Sequence, residues 1–227
     1  MSPRPLRPQA AGAVYHVYAQ ATGSELLHRD AADCERFLWI LRGTVKAYAL
    51  DLHFFVVMGT HYHLLLTTTL PNISAAMQHL NSRYCQTYNL RHERKGHVLR
   101  GRFGTSLVES DRHATRLVSY LALNPVSAGL VERPEDWPWS TYASLVGLAP
   151  GWDFVNPDFI LRSFAPDPAR AAVLVREYVE SVLAQEADQA YAGASPSSVA
   201  SGRAKKRKGT NVVPRPGETW SVVPERT

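Results

Sequence analysis

His61 and His63 stand two residues apart in HYHLLLTTT (61–69), a strand-like run. Residues two apart on a strand point to the same face, so both imidazoles could bind one divalent ion. The pair could equally be two ordinary histidines of a surface or core. An HxH pair also opens the metal site of many amidohydrolases, but those need a barrel of ~250 residues. Neither the preceding strands nor the length of this chain fits that architecture.

A second set of reactive types lies on one helix-like stretch. Tyr120 and Asn124 are spaced i and i+4, and Arg116 and His113 continue the stripe toward the N-terminus. Leu117, Val118 and Leu121 cover the other side. Tyr120 could be a half-buried structural tyrosine and Asn124 a helix stop. Taken with the histidines, the Asn124 carboxamide completes a mixed N/O donor set suited to Mg²⁺ or Mn²⁺. A tyrosine one turn away could attack a phosphorus polarised there. A phenol titrates near ~10, so it needs a metal, a base or a cation to activate it. Arg116 could hold a neighbouring phosphate in bidentate fashion.

These residues need elements to position them. AVYHVYAQAT (13–22) alternates as a first strand. Asp30 can cap a helix over 31–50, where Phe37, Leu38, Leu41, Val45 and Tyr48 recur at helical spacing. HFFVVM (53–58) and 61–69 form a hairpin through Gly59-Thr60. Asn72 opens a helix over 73–92 with Ile73, Met77, Leu80, Tyr84 and Tyr88 on one face. The stretch 91–110 is basic, broken by three glycines, and reads as loop with a short strand. Asp111 caps a third helix that stops near Asn124, because Pro125 disfavours helix at the residue before it. WPWSTYASL (137–145) packs against the body, and a last helix fits 167–187. Strands and helices interleave, which predicts an α+β or α/β sandwich with helices against a small sheet. Three parts follow: 1–150, a helical extension over 151–190, and a basic tail over 191–227 whose composition predicts disorder.

The charge is unevenly placed. The 227 residues sum to +5, and residues 200–227 alone account for it with seven Lys/Arg against two acids. Residues 82–119 hold eight basic side chains against three acids, whereas 120–199 hold four against ten. A basic segment beside an acidic one fits polyanion binding, or simply a solvated face. No apolar run approaches the ~18–20 residues of a membrane span. Cys34 and Cys85 make no disulfide framework, and the expected setting is the reducing cytoplasm.

Three stretches carry a family resemblance. VVMGTHYHLLL (56–66), GHVLRGRF (96–103) and LVSYLALNPVSAGLV (117–131), with WPWSTY behind, resemble in order the single-tyrosine HUH transposases, in particular the REP-associated and insertion-sequence-200-type members. The resemblance spans roughly 13–147. It implies a ferredoxin-like antiparallel sheet with helices on one face, His61, His63 and Asn124 as metal ligands, and Tyr120 as nucleophile. It also implies attack on single-stranded, hairpin-forming DNA, giving a 5′-phosphotyrosine and a free 3′-OH. DNA contacts are then expected of Arg116, His113, Arg100, Arg102, Arg83, Arg94 and Lys95, in a nucleoid-associated monomer or homodimer. A hairpin-binding protein without catalysis is the alternative. The chain departs from the family pattern in AQATGSE (19–25), where an Arg-Gly-Asn-like turn is usual. It departs again at Gly59-Thr60 in place of Pro-Asn, and at Gly104 in place of a basic residue.

Overall fold

Tyr62, between the two histidines, decides which way the sheet faces. In the computed structural model, which describes residues 9–23 and 25–192, its ring is fully buried and its hydroxyl donates to Asn81 Oδ1 at 2.7 Å. Side chains alternate along a strand, so burying Tyr62, Leu64 and Leu66 on one face turns His61, His63 and Leu65 to the other. A slip of one residue would reverse both sets.

Four strands, β1 (Val14–Gln20), β2 (Leu50–Val57), β3 (His61–Thr68) and β4 (Gly104–Leu107), pair antiparallel in the order β2-β3-β1-β4. With α1 (Ala31–Ala47) between β1 and β2 and α2 (Ile73–Arg91) between β3 and β4, this is the ferredoxin-like βαββαβ arrangement. α1 and α2 cover the Tyr62 face. The ring of Phe37 of α1 packs tilted against Tyr62 at 4.7 Å and edge-on to Tyr84 at 5.2 Å. Tyr84 and Tyr88 are buried, as their helical spacing predicts, and their hydroxyls donate to Leu27 O and Leu26 O at 2.6 Å. Those two bonds tie down the loop after β1. α3 (Asp111–Ser127) lies on the opposite face of the sheet, against the histidines.

Both ends of α3 differ from expectation. Asp30 caps α1 by accepting from Asp33 N at 2.9 Å, as its type predicts. α3, however, is capped by Ser110, whose hydroxyl accepts from His113 N, and Asp111 is its first helical residue. Asn72 is the N-cap residue of α2, as expected, with its carbonyl accepting from Ala76 N at 3.0 Å, but its side chain makes no cap bond and turns Nδ2 to Tyr48 O at the end of α1. α3 does not stop at Asn124. It runs through the buried Pro125 to Ser127 and ends at Gly129, φ 69°. Proline inside a helix removes one donor. Here the cost is limited to the final turn, where Ala128 N still donates to Asn124 O and Leu130 N to Pro125 O, each at 3.0 Å.

Asp33 is the hub of a charged cluster joining α1 to the end of α2. Its buried carboxylate accepts from Arg29 N at 2.8 Å, Arg91 Nη1 at 2.5 Å and His92 Nε2 at 2.9 Å. The edge strand β2 is closed by the aromatic segment. Val57 N donates to Trp139 O and Thr141 N to Phe55 O, while Trp137 Nε1 reaches Val57 O. Covering an edge in this way blocks pairing with another chain. Beyond short helices α4 (Tyr142–Leu145) and α5 (Asp158–Arg162), α6 (Pro168–Ala192) buries Ala171, Val175 and Val179. The expected disordered tail falls almost wholly outside the described residues. No helix among them is long and apolar enough to cross a membrane.

His28 makes stability pH-dependent. It is fully buried among Phe37 and Tyr84, with Nδ1 2.7 Å from Met58 O and Nε2 without a hydrogen-bond partner among the described residues. Burial outweighs the pull of Met58 O and Asp33 and draws its pKa down to about 4. The folded state therefore binds its proton more weakly than the unfolded chain. Stability is intact above pH ~6.5 and falls as pH drops toward 4, by up to about 3 kcal/mol from this residue. Denaturant titrations at pH 7 and 4.5 check this. The loss should shrink in His28→Gln, which keeps a donor for Met58 O, and an equal loss in both proteins would discard the assignment.

Candidate active site

The register of β1, β3 and β4 builds the site. His63 pairs with Tyr18 and His61 with Gln20 across β1/β3. His16, also on this face, brings Nε2 to 3.0 Å from His63 Nδ1, with the rings stacked at 5.1 Å. The His61 and His63 rings meet edge to face at 5.0 Å. Their shared parity is therefore as expected.

α3 delivers the other half. Its apolar side, Leu117, Val118 and Leu121, is buried, which turns Tyr120 and Asn124 to the histidines. Asn124 Oδ1 lies 3.1 Å from His61 Nε2, although 63 residues separate them in sequence. The Tyr120 ring stands edge-on to His63 at 5.7 Å and is 54% exposed, open to a ligand. The continuation of α3 past Asn124 matters here, since it keeps Tyr120 and Asn124 in one helical register.

The three histidines of this face, His16, His61 and His63, are held neutral. Burial, with His61 and His16 beside it, pulls His63 down to about 3. Burial and then His113 take His16 to about 4. Burial also lowers His61, partly offset by its bond to Asn124. Neutral imidazoles keep a lone pair for a metal. His63 Nδ1 is engaged with His16, which leaves its Nε2 as the metal-binding nitrogen, whereas His61 is engaged at both nitrogens, Nδ1 with Thr60 Oγ1 at 3.0 Å and Nε2 with Asn124 Oδ1, so an ion there would replace the Nε2–Oδ1 hydrogen bond. No group of three or more His, Cys, Asp or Glu side chains among the described residues is set to hold a metal. Two imidazoles and an amide oxygen nevertheless suit a divalent cation that retains water or phosphate oxygens in its other positions.

The basic residues divide. Arg116 and His113 are exposed on the same helix as Tyr120. Arg100 N donates to Gln20 O at the end of β1, beside His61, and Arg100 and Arg102 line a cleft of about 810 Å³ with Thr22, Asn81 and His97. Lys95 is exposed in the preceding loop. Arg94 is engaged elsewhere, paired with Glu25 at 2.5 Å and 5.9 Å over the Tyr88 ring. Arg83 lines a separate cleft with Trp39, Lys46 and His79 on the α1/α2 side. His16 and Tyr18 were not singled out by the sequence. The only available signal was their i, i+2 spacing in β1.

The class these elements define is a ferredoxin-like βαββαβ domain with an added helix bringing a tyrosine to a strand HxH pair. The chain shares its fold with a REP-associated tyrosine transposase solved bound to a REP hairpin. The TM-score is 0.57 at 19% identity, over 69% of this chain and 94% of that one. A Deinococcus radiodurans protein provisionally classed as a transposase overlaps at TM-score 0.36 and 18% identity, over 50% of this chain and 92% of that one. The tRNA(His) guanylyltransferase of Saccharomyces cerevisiae gives 0.40 and 9%, over 73% and 76%. These last two overlaps are too loose to define a fold. No protein-family profile matches the chain, and neither does any curated protein sequence.

Proposed function

We propose that the chain cuts and rejoins single-stranded DNA by transesterification, as a transposase does, with Tyr120 as nucleophile and a Mg²⁺ or Mn²⁺ ion held by His61, His63 and Asn124. One observation carries the reading: an exposed phenol, two neutral imidazoles and an amide oxygen converge from β3 and α3 onto one spot. The shared fold with a hairpin-bound tyrosine transposase adds support and points to DNA that folds into hairpins.

In the cutting step the Tyr120 oxygen bonds to phosphorus and the P–O3′ bond breaks. Its electron pair stays on the 3′ oxygen, which takes a proton, while the phenolic proton leaves to solvent. The product is a 5′-phosphotyrosine and a 3′-OH. The phosphodiester energy is kept in the new ester, so attack by a 3′-OH reseals a strand without ATP. When bound, the ion supplies charge neutralisation at the phosphate. His16 orients His63 through the 3.0 Å bond. Arg116, one turn from Tyr120, grips the adjacent phosphate, and His113, Arg100 and Arg102 extend the positive track.

The test is denaturing electrophoresis after mixing the protein with labelled hairpin-bearing strands and Mn²⁺ or Mg²⁺. A denaturant-resistant protein–DNA band is expected. Chelation, His61→Ala or His63→Ala should each cut its yield by about 10²–10³-fold. A band that survives chelation would remove the metal from the mechanism. Hairpins retained in native gels with no band under either metal would leave a binding module without catalysis.

A further inference from the structure

The histidine face carries a second exposed phenol that the proposed chemistry leaves unused. Tyr18 of β1 is 44% exposed and pairs with His63 across the sheet, its ring 5.9 Å from His63 and 5.4 Å from His16. Tyr120 meets the same His63 ring at 5.7 Å. Two exposed aromatic rings thus flank one proposed metal ligand.

On its other side Tyr18 pairs with Gly104 of β4. The ring lies directly over that glycine. A Cβ at 104 would stand 2.2 Å from Tyr18 Cζ, 2.5 Å from Cε2 and 2.6 Å from Oη. Hydrogen is the only side chain that fits while the ring keeps this position. Aromatic rings laid across strand glycines are a known way of supporting both. The backbone of β4 therefore fixes the ring from below, while its exposure leaves it accessible. A rigid, accessible π-face beside a phosphate-handling site is what an unstacked nucleobase needs, and stacking tolerates any base.

Resting on the proposed function above, we infer that Tyr18 is a base-stacking subsite, seating the nucleobase next to the phosphate that Tyr120 attacks, and that Gly104 stays bare to hold the ring in place. The ligand is a single nucleobase of an extended or hairpin-flanking strand.

The experiment uses the full chain and hairpin-bearing DNA strands carrying one abasic site at each position in turn. Affinity is measured in chelator, so that it does not depend on cleavage, and adduct yield is measured with Mn²⁺. Y18A should weaken binding of the intact strand about ten- to hundred-fold, and hardly at all for the strand abasic at one particular position. Y18F, which keeps the π-face, should rescue affinity. G104A should reproduce Y18A by displacing the ring, and the double variant Y18A/G104A should lose no more than Y18A alone. Thermal unfolding of each variant accompanies the titrations. A purely structural pairing of Tyr18 with Gly104 would weaken intact and abasic strands alike, in step with lost stability, and would overturn the subsite. So would a Y18F protein as defective as Y18A, since the hydroxyl would then be the working group. Absence of an adduct in wild type with the abasic-dependent Y18A penalty intact would fail the nuclease reading and sustain the subsite. A wild-type protein that holds none of the strands would overturn both.

Discussion

Tyr120→Phe should abolish the covalent protein–DNA band expected of the proposed chemistry, lowering its yield by at least about 10³-fold, while hairpin affinity in chelator should stay within about twofold. The substitution removes one oxygen from a ring that is 54% exposed and meets its neighbours by its edge. Packing, the α3 register and the Asn124 contact at 3.1 Å are therefore left in place. On the proposed reading, binding rests on phosphate contacts from Arg116, Arg100 and Arg102 and not on the phenol. The two readouts should separate cleanly on wild-type and variant lanes run side by side. Full cleavage by the variant would transfer the nucleophile to another group, and Tyr18 on the same face would be the first to examine. Loss of affinity together with the band would mean that Tyr120 holds DNA.

Asp33→Ala has the largest expected effect on stability. The carboxylate is 2% exposed and receives three donors, Arg29 N, Arg91 Nη1 and His92 Nε2. Truncation leaves the Arg29 N–H and the largely buried His92 without that partner. Arg91 is 40% exposed and keeps Asp30 at 2.6 Å, so water and Asp30 absorb part of its loss. The net cost should be about 3 kcal/mol, lowering Tm by roughly 6–12 °C. Thermal unfolding followed by circular dichroism reads it directly. Adduct yield at low temperature should persist, because the cluster stands on the α1/α2 side of the sheet, away from Tyr120. A shift under about 2 °C would show that the cluster does not staple α1 to α2.

Local signals carried the elements a long way. The alternation in VYHVYAQ and HYHLLLTT and the Asp30 cap placed β1, β3 and the start of α1 correctly, and the i, i+4 spacing put Tyr120 and Asn124 on one face. What failed depended on partners remote in sequence. Ser110 and Asp111 are both good caps, and nothing local ranks them. Pro125 was given the force of a stop, whereas the helix needs to lose only one donor near its end. In the site, the parity of His61 and His63 was legible from their spacing alone. The contribution of His16 was not, because it depends on a register set 47 residues away. Arg94 counted as a free positive charge until Glu25 and the Tyr88 ring were found against it. Gly104 read as a missing cation, and only the fold shows which ring fills the space.

The strand order has a bearing on when the site comes into being. β1 lies between β3 and β4, so neither of its neighbours exists while it is being synthesised. At ~5–20 residues per second, the roughly 100 residues from β1 to Asn124 take on the order of 5–20 s to emerge from the ribosome. β3 with His63 emerges earlier and can take one edge of β1, but the other edge waits for β4, and the site waits for Tyr120 and Asn124. Pairings this distant in sequence form late and together, because the loop-closure cost is met before any contact repays it. His61, His63, Tyr120 and Asn124 therefore come together only after α3 has been made.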